Sequence, residues 1–207
     1  VGLATSSAGM DDELIGIFRK SGCKGLLIGF ESICQDSQSY VNKGVNTVSG
    51  YADLMKKLHD NGILVQGCFA FGSDGEDASV FEQTVEMIQK VKIDLPRYSI
   101  LTPFPRTKLY AQLESEGRIV ERDWAMYDVE HCVFIPAKMT KEELEKGITW
   151  AWKETYKASA IAERLAHRQN HLWLSFPTNL GYRGYAKKYE RFNRDVMCDN
   201  SDIPILL

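Results

Sequence analysis

The chain has 207 residues, 44% of them hydrophobic and 26% charged, with a formal net charge of −3. That balance belongs to globular proteins and leaves room for one large domain or a domain with an appendage. It gives no global attraction to nucleic acid or anionic lipid, so such a partner needs a local patch. The opening Val1-Gly2-Leu3-Ala4-Thr5 has no initiator methionine, basic n-region or long apolar run. Neither a signal peptide nor a membrane span is expected, and the chain reads as starting within a longer protein. Its five cysteines, Cys23, Cys34, Cys68, Cys132 and Cys198, lack the spacings that chelate zinc or a cluster. No metal site is expected, and reduced thiols in a cytoplasmic compartment are. His167 and His171 share a helical spacing without a third ligand, so surface or packing roles are expected for them.

In chain order, residues 1–5 form a short strand, and Asp11-Asp12-Glu13 opens a helix carrying Leu14, Ile15, Ile17 and Phe18. Gly22 stands where a helix-ending glycine belongs. Residues 25–30 then run almost continuously apolar, as in a strand buried on both faces. The unit repeats. Thr47 caps a helix with Tyr51, Leu54, Met55 and Leu58, Gly62 ends it, and residues 63–71 form the next strand. A helix from about Asp77 through Ile88 leads to a strand at 98–101. Strands separated by single helices imply right-handed parallel crossovers, so the first hundred residues are α/β.

Pro103 and Pro105 break this rhythm. A short helix is expected at 109–113, and irregular, aromatic sequence at 117–136. Thr140-Lys141-Glu142-Glu143 is a capping box opening a long helix, whose stripe of Leu144, Ile148, Trp152 and Tyr156 extends to Ile161 and Leu165. The division expected is residues 1–116 and 117–207, the second part irregular and then mainly helical.

Chemistry in parallel sheets and barrels collects at the C-terminal strand ends. Those ends carry Thr5-Ser6-Ser7, Glu31-Ser32, Gly72-Ser73-Asp74-Gly75 and Thr102-Pro103-Phe104-Pro105. Glu31, a carboxylate directly after a buried strand, is the strongest single candidate. An exposed acid or a helix cap is its plain alternative, and a turn-forming aspartate is that of Asp74.

Three ordered segments carry a family resemblance. Residues 22–32, ending in Gly29-Phe30-Glu31-Ser32, resemble the fourth-strand segment of radical S-adenosylmethionine (SAM) enzymes. Gly67 through Asp74 is similar to their fifth-strand motif, and Leu101-Thr102-Pro103-Phe104-Pro105-Arg106-Thr107-Lys108-Leu109-Tyr110 to their sixth. The stretch from Gly117 to Thr140 resembles the subgroup with an N-terminal cobalamin-binding domain, which includes hopanoid methylases and proteins described as magnesium-protoporphyrin cyclases. The resemblance covers about residues 1–165.

It implies a partial TIM-like parallel barrel of six strands, of which this chain supplies strands three to six. The parent would be a radical SAM, cobalamin-dependent enzyme performing methyl transfer or oxidative cyclisation. Its [4Fe–4S] cluster, on a Cys-x-x-x-Cys-x-x-Cys loop absent here, and its cobalamin would be bound outside this chain. The missing cobalamin domain and first half-barrel would be its partners, with a small-molecule substrate. The resemblance places Glu31 and Ser32 near the ribose and methionyl parts of SAM. The Gly67 to Gly72 backbone and Asp74 would approach the adenosyl group, and Thr102, Phe104 and Pro105 would border adenine. No catalytic residue is assigned within the chain, which would not be competent alone. Arg106 stands where the family has glycine, putting the adenine contacts in doubt.

Two other readings remain open. One is a different parallel α/β enzyme binding phosphate at residues 72–75, although no phosphate-loop fingerprint is present. The other is an interaction module. Arg183, Lys187, Lys188, Arg191 and Arg194 interleave with Tyr182, Tyr185, Tyr189 and Phe192, a pattern for a membrane surface or nucleic acid, or for a helix docking its aromatics on the core. No nucleic-acid partner is expected. A bared edge on the first strand would favour self-association.

Overall fold

The computed structural model describes residues 1–7, 11–32, 48–166 and 171–199. Four strands, β1 (Gly2–Thr5), β2 (Gly25–Glu31), β3 (Leu64–Phe71) and β4 (Arg97–Ile100), form one parallel sheet in the order β1-β2-β3-β4. Helices α1 (Asp12–Lys20), α2 (Val48–Asp60) and α3 (Val80–Val91) connect successive strands. Then come α4 (Lys108–Ser115), a 3-10 turn at Trp124–Met126, α5 (Lys141–Thr155), α6 (Ala158–Ala166) and α7 (Leu172–Asp199). The α/β reading stands. The Thr47 cap and His167 lie outside the described residues.

Local chemistry sets the element ends. Asp11 caps α1 by accepting from the Leu14 amide at 3.0 Å, and Thr107 does the same for α4 from Tyr110 at 3.2 Å. At α5 both halves of the capping box form, Thr140 with the Glu143 amide at 3.1 Å and Glu143 back to the Thr140 amide at 2.7 Å. Such caps contribute about 1 kcal/mol each.

The long helix expected from Thr140 to Leu165 is instead two. It stops at Thr155 because Tyr156 leaves helical geometry to donate its hydroxyl to the Pro96 carbonyl at 2.6 Å and to stack on Trp152 and Tyr182. The freed Thr155 carbonyl is taken by the buried Arg164 guanidinium at 2.9 Å. Side-chain anchoring outweighs backbone continuity here.

One face of the sheet is covered. Leu26, Ile28, Phe30, Val65, Phe69, Phe71, Tyr98 and Ile100 point to the helices and form one core with residues of α2, α3 and α5. Edge-to-face and stacked ring pairs, such as Phe30 with Tyr51 and Tyr98 with Trp152, add about 1 kcal/mol each beyond burial. Core residues fall on both sides of position 116, from Ile15 to Tyr189.

The opposite face differs from the expectation of strands buried on both sides. Leu27, Gly29, Glu31, Gln66, Cys68, Ala70 and Ser99 are only half-buried, and Leu3, Thr5 and Arg97 are exposed. The apolar Leu27 and Ala70 on this face erase the period-two signal that would have announced it. No strand pairs with the outer edge of β1 among the described residues. No described helix is long and apolar enough to cross a membrane.

Candidate active site at the strand ends

The C-terminal ends of β2 and β3 are joined by a carboxylate that the sequence reading did not single out. Glu76 is buried; it accepts from the Ser32 hydroxyl, from the Gly72 amide at 2.8 Å and from the Ser73 amide at 3.1 Å. Burial pushes its carboxyl above the ordinary range, and the hydroxyl and amide donors pull it partly back. Its acidic type in a Gly-rich loop was visible, but nothing local distinguished it from Asp74 or Asp77.

Glu31 closes β2 with a positive φ of 62°, at a register irregularity between residues 29 and 31. A left-handed backbone at a non-glycine residue is costly, by about 1–2 kcal/mol, and such outliers gather at functional sites. Glu31 lies on the open face and bears electrostatically on Cys68 there. Ser32 is buried against Glu76.

The other candidates spread over different surroundings. Gly67 faces the covered side, where an added Cβ would lie 2.9 Å from Ile93 and 3.2 Å from the Phe30 ring. Gly72 has φ 109°, and a side chain there would press on Leu144 and Phe134 at 3.1 Å. Asp74 pairs with Arg118 through two hydrogen bonds of 2.6 and 3.1 Å. Thr102 is buried and donates to the Ile100 carbonyl at 3.1 Å. Phe104 is 46% exposed, Pro105 is exposed, and the Phe104 carbonyl accepts from the Thr107 hydroxyl at 2.7 Å. Arg106 adopts φ 66°, the conformation glycine would take freely.

The open face brings together residues that sequence reasoning did not group. In register across the sheet, Thr5, Gly29, Cys68 and Arg97 form one row, and Leu3, Leu27 and Gln66 the row below. Burial raises the Cys68 thiol above its usual value; Arg97 lowers it and Glu31 raises it. Cys23, Cys68 and Cys132 are free thiols on separate parts of the fold, and no group of three metal-ligating side chains occurs among the described residues. The aromatic run of α7 turns inward, with Tyr182, Tyr185 and Tyr189 packed on Trp152.

No family model matches the chain. Bacteriochlorophyllide d C-12(1)-methyltransferase of Chlorobaculum tepidum is 35% identical over 162 residues, 78% of this chain and 35% of that protein. The anaerobic magnesium-protoporphyrin IX monomethyl ester cyclase of Cereibacter sphaeroides is 26% identical over 73% of the chain and 24% of its own length. The radical S-adenosylmethionine methyltransferase TsrM of Kitasatospora setae, solved with cobalamin and a [4Fe-4S] cluster bound, matches in fold with a TM-score of 0.51. That match covers 94% of the chain and 44% of TsrM at 17% identity. At that identity the likeness to TsrM shows a shared fold. The chain spans about a third of the length of the methyltransferase.

Proposed function

We propose that this chain is the C-terminal part of a radical SAM, cobalamin-dependent enzyme of methyl-transfer or oxidative-cyclisation type, and that its sheet supplies strands three to six of a partial barrel. The open face of the sheet carries the reading. Four parallel strands in sequential order leave a half-polar face with Glu31 at its C-terminal rim, where ligands collect in such folds. The methyltransferase relative gives the chemistry its class.

The residues at the rim fit SAM by the chemistry of their groups. The Glu31 carboxylate suits hydroxyl or ammonium donors, and the exposed Phe104 and Pro105 suit an adenine face. Ser32 acts through Glu76, which holds the two strand-end loops together, and the Gly72 amide is spent on the same carboxylate. When bound, SAM supplies the transferable methyl group or the adenosyl portion that becomes the radical. The chain's own work is to bind and orient it and to exclude water from the face. The described cysteines lie apart, so no step through a cluster is assigned to this chain. The cobalamin domain and the first half-barrel of the parent would complete the site.

The test is Glu31→Ala in the longer protein that carries this chain. SAM affinity by calorimetry should fall about tenfold, a loss of one charge-assisted hydrogen bond, with the absorbance of the cluster unchanged. Unchanged affinity would remove Glu31 from the site.

A second role rests on the outward side of α7. Trp173, Phe176 and Leu180 are exposed there, and Lys187 and Lys188 follow them. An apolar and then basic stripe suits an anionic membrane surface. Co-sedimentation with anionic but not neutral vesicles is the expected result.

A further inference from the structure

The region after residue 116 reaches back to the strand-end loops, and the function proposed above gives it no part. Gly117, with φ 69°, turns the chain out of α4, and the Arg118 amide donates to the Leu113 carbonyl at 2.8 Å. Arg118 is then paired with Ile135. The Ile135 amide donates to the Arg118 carbonyl at 2.8 Å, and the Arg118 Nε donates to the Ile135 carbonyl at 2.7 Å. Backbone and side chain are thus both anchored before the end of the guanidinium meets its partners.

Those partners lie on the loop after β3. Nη2 and Nη1 donate to the two carboxylate oxygens of Asp74 at 2.6 and 3.1 Å, and Nη1 also donates to Glu116 at 2.9 Å. Surface ion pairs usually contribute little, because two long side chains must be ordered to form them. This one differs, since the contact is bidentate and the arginine side chain is 16% exposed and already held by Ile135. The pair of Arg122 with Glu114 shows the ordinary case, a single contact of 3.3 Å from a side chain 71% exposed. Further contacts bring the same region onto the loop. Lys138 donates to the Gly75 carbonyl at 3.3 Å, and Phe134 and Leu144 lie 3.1 Å from where a Cβ at Gly72 would stand.

The other side of the loop faces the rim. Glu76, two residues past Asp74, accepts from the Ser32 hydroxyl and from the Gly72 and Ser73 amides. Ser32 follows Glu31, and a left-handed backbone such as that of Glu31 persists only where its surroundings over-determine it. One line of contacts and short backbone links therefore runs from Ile135 through Arg118, Asp74, Glu76 and Ser32 to Glu31.

We infer that Arg118 is a positioning residue for the rim: through Asp74 it holds residues 72–76 in the shape that lets Glu76 fix Ser32, and so it sets where the Glu31 carboxylate stands. Asp74 is on this account a strut, not a ligand group. The inference rests on the reading of Glu31 as a SAM-binding residue. It adds that Arg118 orders the site without touching the ligand.

The test uses the longer protein that carries this chain, as Arg118→Gln, Arg118→Lys, Asp74→Asn and the double variant Arg118→Gln with Asp74→Asn. Hydrogen exchange of the Gly72 and Ser73 amides is read without ligand, and SAM affinity is read by calorimetry. Arg118→Gln should speed the exchange about tenfold and weaken SAM about fivefold, the scale of lost charge-assisted hydrogen bonds. Arg118→Lys keeps the charge and a donor and should recover part of both. Asp74→Asn should resemble Arg118→Gln, and the double variant should be little worse than either single one, because each removes the same contact.

Exchange at Gly72 and Ser73 that Arg118→Gln leaves unmoved overturns the proposal. So does full additivity in the double variant, or a lysine no better than glutamine. A SAM affinity that falls in Asp74→Asn but not in Arg118→Gln overturns it too, since Asp74 would then touch the ligand itself. Should Arg118→Gln fail to fold, Asp74→Asn, at a side chain 45% exposed, carries the exchange measurement and must show the same rise. Glu31→Ala, measured alongside, separates this inference from the reading it rests on. If Glu31→Ala weakens SAM while Arg118→Gln binds it normally, only the positioning role fails. If Glu31→Ala is itself harmless, the SAM reading of the rim fails, and the exchange rates alone decide whether Arg118 holds the loop.

Discussion

The two faces of the sheet are built by opposite rules, although neighbouring residues of the same strand supply them. On the covered face, Phe69 stacks on Phe30 at 5.4 Å and lies 6.0 Å from the Tyr98 ring, with nothing of it exposed beyond 1%. One residue earlier, Cys68 looks onto the open face beside Arg97. The covered face is fixed by shape, while the open face is left under-packed and chemically varied. Burial is concentrated on one side, and the other is the side proposed above for ligand binding.

The sharpest way to break this contrast is to truncate both neighbours. Phe69→Ala should cost about 4 kcal/mol, through lost burial and the cavity left among rings that cannot collapse. Cys68→Ala should stay within about 1 kcal/mol, because its side chain borders solvent. Denaturant unfolding of both variants measures the difference. Comparable losses would mean that the open face is packed after all.

The contrast also explains what was legible in the sequence. Element types and order were readable because each helix has its own end signals, such as Asp11, Gly22, Gly62 and Thr140, and each strand is strongly apolar. The strand-end positions of Glu31 and Thr102 followed from that order. The open face was not readable, because Leu27 and Ala70 mask the alternation and Gly29 contributes no side chain. Glu76 escaped because its partners are Ser32, 44 residues away, and two backbone amides; long-range partners leave no local spacing. The helix break at Tyr156 escaped for the same reason, since the Pro96 carbonyl that captures it lies 60 residues earlier.

A smaller effect is expected at Glu76, which belongs to neither face and ties β2 to β3. Glu76→Ala leaves two amides and a hydroxyl without their acceptor and should cost about 2–3 kcal/mol. Glu76→Gln keeps a carbonyl acceptor and should cost about 1 kcal/mol. Because burial holds this carboxyl above its unfolded value of 4.5, the folded chain binds the proton more tightly than the unfolded chain. The stabilisation from that proton is full below about pH 4.5 and is lost as pH climbs through the raised value. Relative to Glu76→Gln, the native sequence should therefore lose stability across that rise, as measured by melting temperature against pH. A gap between the two that does not vary with pH would show that Glu76 is ionised at no cost.

The smallest effect is expected at Arg106, where two terms of similar size oppose each other. Its φ of 66° puts an exposed side chain in the left-handed region, at a cost of about 1–2 kcal/mol that glycine would not incur. Glycine in turn loses about 0.5–1 kcal/mol more backbone entropy on folding. Arg106→Gly should thus stabilise the chain by no more than about 1 kcal/mol. Arg106→Ala keeps the strain while deleting the side chain, so the difference between Ala and Gly isolates the backbone contribution. Gly should be the more stable of the two by thermal melting. If Ala and Gly melt together, the turn relaxes around whatever residue it holds. The arginine would then carry no strain into the Thr102 to Pro105 segment, and the contrast between rigid and adaptable regions would extend to this loop.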